Sequence, residues 1–81
     1  MNARDRYPSK NMVKVRRRYW TLAVRRDGHF VPEFGSFVRG EAIAEMSQWR
    51  RKGFRRSDLR IIASDPHLVA IEEAVEGLNG L

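Results

Sequence analysis

From Tyr19 the side chains alternate: Trp20, Leu22 and Val24 fall on one side, and Tyr19, Thr21, Ala23 and Arg25 on the other. A period of two marks a β-strand, here with one strongly apolar face. The RRDGH that follows is turn chemistry and offers two registers. A two-residue turn at Asp27-Gly28 sets Leu22 opposite Glu33 on the core side. A three-residue loop, a type I turn with Gly28 as a left-handed bulge residue, instead pairs Val24 with Phe30 and Trp20 with Phe34. Matching the apolar faces selects the second. Pro32 lacks an amide donor, so the second strand is expected to be short and to lie at a sheet edge.

After FGSF, the segment from Arg39 to Lys52 changes period. Ala42, Ile43, Met46 and Trp49 share one stripe while Glu41, Glu45, Gln48 and Arg51 lie off it, the signature of an amphipathic helix. Gly53 is the natural left-handed terminator, and Phe54 stands where a Schellman cap places its apolar residue. Alternation returns from Ser57 to Ala63, with Leu59, Ile61 and Ala63 on one face and Arg60 and Ile62 on the other. Asp65-Pro66 then reads as a cap and first helical position. The helix it opens carries Leu68, Ile71, Val75 and Leu78 on one face and is expected to end near Gly77.

The predicted order is strand, strand, helix, strand, helix. A right-handed crossover from the second strand to the third leaves the first strand central. The expectation is therefore a single small α+β domain, ββαβα, with a three-stranded antiparallel sheet of order 2-1-3 packed with two helices. Residues 1–12, polar and without apolar periodicity, are expected to be a disordered basic arm, and residues 13–81 the domain. The first helix should cover Trp20, Leu22, Phe30 and Phe34. Pattern does not decide whether the second helix joins it or covers the opposite face. If it joins, Tyr19, Thr21, Arg25, Val31, Arg60 and Ile62 form an open outer face, a candidate surface for a partner or a second copy.

Composition narrows the chemistry. The chain has 81 residues and no cysteine, so packing without disulfides or thiolate metal sites must hold it together. The polar N-terminus is unlike a signal peptide and no apolar run reaches a membrane span, which with the missing cysteines points to a cytoplasmic protein with no membrane partner. The net charge of +6 is organised in blocks. Residues 1–26 carry nine Lys/Arg against Asp5, and residues 50–60 carry six against Asp58. The intervening segment and residues 61–81 are net acidic. A basic domain with clustered charge raises nucleic acid or another polyanion as a partner.

Catalysis has little to draw on. A nucleophile needs a base and an orienting partner, and His29 and His67, the two histidines, lie in no recognisable motif. Glu72, Glu73 and Glu76 read as a solvated acidic stripe on a helix. Lone glycines in DGHF and FGSF do not make a phosphate loop. The expectation is a non-enzyme with no cofactor and no metal site.

The cations remain. Arg16, Arg17 and Arg18 lead into the first strand beside Tyr19, Arg25 and Arg26 close it, and RRKGFRR surrounds the end of the first helix. Cations at a helix C-terminus are favoured by the macrodipole, so Arg50, Arg51 and Lys52 are partly explained without a ligand. Arg55 and Arg56 are not. Arginine outnumbers lysine thirteen to three, and its planar fork suits phosphate and carboxylate. The expected partner-binding residues are Arg16, Arg17, Arg18, Tyr19, Arg25, Arg26, Arg51, Arg55, Arg56 and Arg60. Trp20, Trp49, Phe30 and Phe34 are assigned to the core by their phase.

The stretch YWTLAVRRDGHFVPEFGSFVRGEAIAEMSQWRRKGFRRSDLRIIAS resembles small uncharacterised phage and prophage accessory proteins. The aromatic strand, DG turn, PEFGS-like exit, basic-Gly-aromatic helix end and DLRII carry the likeness, while Val38 and Gly40 depart from it. The resemblance brings no catalytic residues. It implies a protein of a bacterial host's cytoplasm that binds and inhibits a host macromolecular complex, a class that includes anti-CRISPR proteins, with its Arg-rich surface set against an acidic surface of a host protein or nucleoprotein. The alternative is a sequence-nonspecific DNA- or RNA-binding module or phage regulator. A monomer or weak homodimer is expected in either case.

Overall fold

Asp27 and Gly28 both adopt positive φ, 51° and 90°, the pair of left-handed conformations that a two-residue type I′ hairpin turn requires. The structure, a computed structural model, describes residues 18–80. In it β1 (Tyr19–Arg26) and β2 (His29–Ser36) form this hairpin, followed by α1 (Arg39–Arg51), β3 (Leu59–Ser64) and α2 (Leu68–Asn79). The sheet is antiparallel with order β2-β1-β3, as the crossover argument requires. The proposed arm and the start of the domain at residue 13 lie outside the described residues.

The hairpin register differs from the three-residue loop expected. His29 opposes Arg26, Phe30 opposes Arg25 and Pro32 opposes Ala23, but Phe34 then opposes Leu22. Glu33 has no opposing residue: it is the extra residue of a β-bulge. The bulge resolves the clash that argued against the short turn, because Leu22 meets Phe34 rather than Glu33. It also puts Phe30 and Phe34 on opposite faces of the sheet. β2 is an edge strand, as Pro32 demands, yet with eight residues it is not short.

Alternation along β1 feeds two cores. Leu22 and Val24 pack with Trp49 and Leu59, joined by Phe34, Met46, Phe54 and Ile61, beneath α1. Ala23 packs with Phe30 and Val75, joined by Ile62 and Leu78, beneath α2. The two helices therefore cover opposite faces, and the open outer face is absent. Phe30 belongs to the α2 layer and not to the α1 layer. Val31, opposite Val24, shares the α1 face.

Both helix ends of α2 depart from expectation. Asp65 and Pro66 precede the helix, His67 donates its amide to the Asp65 carbonyl at 3.0 Å around Pro66, and the helix starts at Leu68 with His67 as N-cap. This three-residue turn uses the carboxylate-proline pair as a bend and leaves Leu68 67% exposed. At the other end α2 runs through Gly77 to Asn79. The Asn79 side-chain amide accepts from the Phe30 amide and donates to the Phe30 carbonyl at 3.0 Å. It holds both polar groups of one β2 residue as a neighbouring strand would.

Candidate functional site: a cationic corner

The end of α1 is built as the sequence indicates. Gly53 has φ of 104°, its amide donates to the Arg50 carbonyl at 3.0 Å and the Phe54 amide to the Trp49 carbonyl at 3.3 Å. These are the two bonds of a Schellman motif. Phe54 turns back onto Trp49, edge to face, with centroids 5.0 Å apart. Trp49 is the hub of this corner. Its indole N–H donates to Glu45 at 3.2 Å, and the Arg26 guanidinium and Lys52 ammonium lie 5.3 and 4.8 Å from its ring.

The hairpin end of the sheet meets the same corner. Arg25 reaches the Ser57 carbonyl at 3.4 Å and Asp58 at 3.8 Å, and lies 4.9 Å from the Phe30 ring. Arg60 donates to the Ser57 and Leu59 carbonyls at 3.3 and 3.2 Å and lies 5.6 Å from that ring. Arg26 pairs with Glu33 at 2.8 Å. The bulge residue thus faces a cation of the opposite strand.

These contacts divide the predicted site. Arg25, Arg26 and Arg60 are occupied by carboxylates, carbonyls and rings of the domain itself. Arg50, Arg51, Arg55 and Arg56 are exposed, and among the described residues their side chains have no ion pair, hydrogen bond or ring partner. Three of the four, Arg50, Arg51 and Arg55, line a shallow cleft of about 450 Å³ with Ser47, Gly53 and Phe54. Arg18 and Tyr19 lie at the far end of β1, roughly 20 Å from Arg25 at the rise of a strand. There the Tyr19 ring covers Gly35, which has no Cβ to obstruct it, and meets Phe37 edge-on at 5.1 Å. Arg16 and Arg17 lie outside the described residues.

Arg50 is the residue that sequence reasoning passes over. The macrodipole argument treats the three cations of RRK alike, and only the ring of Trp49 separates Lys52, which it holds, from Arg50 and Arg51, which stay free. Among the described residues the only aromatic side chain lining the cleft of the free arginines is Phe54. Trp49 is buried, and Phe54 is spent on it.

Two other features bear on chemistry. His29 shares a cleft of about 490 Å³ with Glu72 and Glu76, yet among the described residues no group of three or more His, Cys, Asp or Glu is placed to hold a metal ion. Thr21, 2% exposed, has a buried hydroxyl with no hydrogen-bond partner. Among the described residues no helix is long and apolar enough to cross a membrane. No family model, no curated protein and no solved structure matches the chain.

Proposed function

We propose that this chain is a non-enzymatic binding protein whose free arginine corner engages an acidic surface of a host macromolecular complex and, by covering it, inhibits that complex. The observation that carries the reading is the partition of the cations. Where arginines serve only the fold, they are found on Glu33, Asp58, backbone carbonyls or aromatic rings. Arg50, Arg51, Arg55 and Arg56 have no such role among the described residues, and at least Arg55 and Arg56 are not accounted for by the helix dipole. Four guanidinium forks at one corner suit carboxylates held in bidentate fashion. The inhibitory role rests on the resemblance to phage accessory proteins.

The nucleic-acid reading requires the same arginines to hold phosphates. Among the described residues the ring beside them is Phe54, half-buried and packed edge-on against Trp49, which argues against base stacking as a main contribution. Four phosphate contacts on duplex DNA give a salt slope of about −3.6, at about −0.9 per phosphate. The test compares the wild type with a variant carrying Arg50, Arg51, Arg55 and Arg56 all changed to Glu. On the proposed reading the variant melts like the wild type and no longer retains the host complex that the wild type captures. Retention of that complex by the variant overturns the proposal, and duplex binding with the full slope transfers the site to nucleic acid.

A further inference from the structure

An open three-stranded sheet has two outer edges, and this one treats them differently. On β2, Pro32 supplies no donor, the bulge at Glu33 breaks the ladder, and Asn79 occupies the amide and carbonyl of Phe30. These are recognised means of keeping another strand away. β3 has neither a proline nor a bulge, and of its backbone groups only the Leu59 carbonyl, at the very start of the strand, is taken by a side chain among the described residues, that of Arg60 at 3.2 Å. Leu59–Ser64 pairs with β1 in unbroken register. Among the described residues, no backbone bond beyond those of the sheet involves Arg60 to Ser64. Ile61, Ile62 and Ala63 are half-buried, so both faces of this edge offer apolar surface to an added strand.

The free cations sit at one end of that edge. Arg55 immediately precedes, and Arg56 opens, the short 3-10 turn Arg56–Asp58 that leads into β3. We infer that β3 is a docking edge for an acidic protein segment in extended conformation, which adds antiparallel to Arg60–Ser64 as a fourth strand. Main-chain bonds supply affinity in this mode, and side chains supply specificity. Antiparallel addition fixes a polarity: the segment's C-terminal end emerges at the start of β3. Its Asp or Glu residues must therefore follow the strand-forming stretch to reach Arg55 and Arg56. The chain's own residues 1–17 have the wrong charge for this seat, with Arg4, Arg6, Lys10, Lys14, Arg16 and Arg17 against Asp5.

The inference rests on the arginine corner and adds the shape of the ligand to it, so the experiment separates the two. The probe is a labelled peptide of alternating Val and Thr, roughly six residues as in a typical strand, followed by three Glu. It is titrated into the full chain by fluorescence anisotropy. Expected are saturable binding and at least about tenfold weaker binding when the Glu run precedes the strand stretch or when Arg55 and Arg56 are changed to Glu. N-methylation of alternate peptide amides should abolish binding, and amide exchange within Arg60–Ser64 should slow only when the unmodified probe is bound.

Equal binding of the methylated or reversed probes overturns the edge while leaving the arginine corner standing. Protection of β3 that survives R55E/R56E removes the arginines from the inference and from the proposed function together. Failure of the probe to bind at millimolar concentration overturns the edge inference. So does self-association of the chain that protects β3 without probe, or displacement of bound probe by a single-stranded oligonucleotide.

Discussion

Replacing Asn79 with Ala removes the side-chain amide that bonds both polar groups of Phe30 and ties the end of α2 to the edge of β2. Each of two partly buried hydrogen bonds contributes about 0.5–1.5 kcal/mol net. Alanine recovers part of the loss because it forms helix better than asparagine, by roughly 0.5 kcal/mol. The expected destabilisation is thus about 1.5 kcal/mol, which in a domain of this size lowers Tm by roughly 6–12 °C. Thermal denaturation followed by circular dichroism measures the first quantity. Hydrogen exchange at the Phe30 amide measures the second, because this amide has its partner on Asn79 and should lose protection ahead of the rest of β2. Asn79→Asp is the informative companion. It keeps the acceptor for the Phe30 amide but sets a carboxylate against the Phe30 carbonyl, so it should be no more stable than the alanine variant. A variant with alanine that melts within about 2 °C of wild type, with Phe30 exchange unchanged, refutes the clamp.

Further outcomes follow from the same geometry. Thr21→Val exchanges the unpaired buried hydroxyl for a methyl of similar shape and should stabilise by about 1–2 kcal/mol, read as a higher denaturant midpoint at unchanged slope. Gly53→Ala must hold φ at 104° with a Cβ and should cost about 1–2 kcal/mol, although nothing crowds the new atom. Phe54→Ala removes a half-buried ring and its edge-to-face contact with Trp49 and should cost about 2 kcal/mol, visible as loss of near-ultraviolet circular dichroism before global unfolding. If that variant keeps its stability but loses partner binding at a fixed folded fraction, Phe54 belongs to the binding surface and not to the cap.

The parts of the fold legible in the sequence are those written in local chemistry. Asp-Gly at a hairpin, Gly-Phe after an amphipathic run, and the alternation from Ser57 to Ala63 each correspond to an observed element, the last starting only at Leu59 because Arg56–Asp58 form a 3-10 turn. The strand order follows from crossover handedness. Face matching gives the wrong hairpin register because it assumes unbroken alternation, and no residue type in PEF announces that Glu33 is extra. The turn itself carried the right signal, since Asp-Gly is suited to two consecutive positive φ values. The face chosen by α2 depends on which side Phe30 points, so one misplaced residue left that question open. At the arginine corner, sequence supplies the cluster but not its partition. Whether a guanidinium is occupied depends on Trp49, Phe30, Glu33 and Asp58, up to 33 residues away from the arginine concerned, as in the ion pair between Arg25 and Asp58.

The bulge also determines how this chain tolerates a change in length. Loss of one residue inside a strand ordinarily exchanges the faces of every side chain beyond it. In β2 the residue without a counterpart is already surplus, so an in-frame loss of Glu33 straightens the strand, keeps Phe34 opposite Leu22 and Phe30 opposite Arg25, and forfeits only the ion pair with Arg26. Loss of Pro32 is absorbed in the same way, with Glu33 moving into the vacated place. β1 and β3, paired residue for residue, have no such slack. Homologous chains are therefore free to differ by one codon between Val31 and Phe34, and a gap there in an alignment marks the same fold rather than a different one.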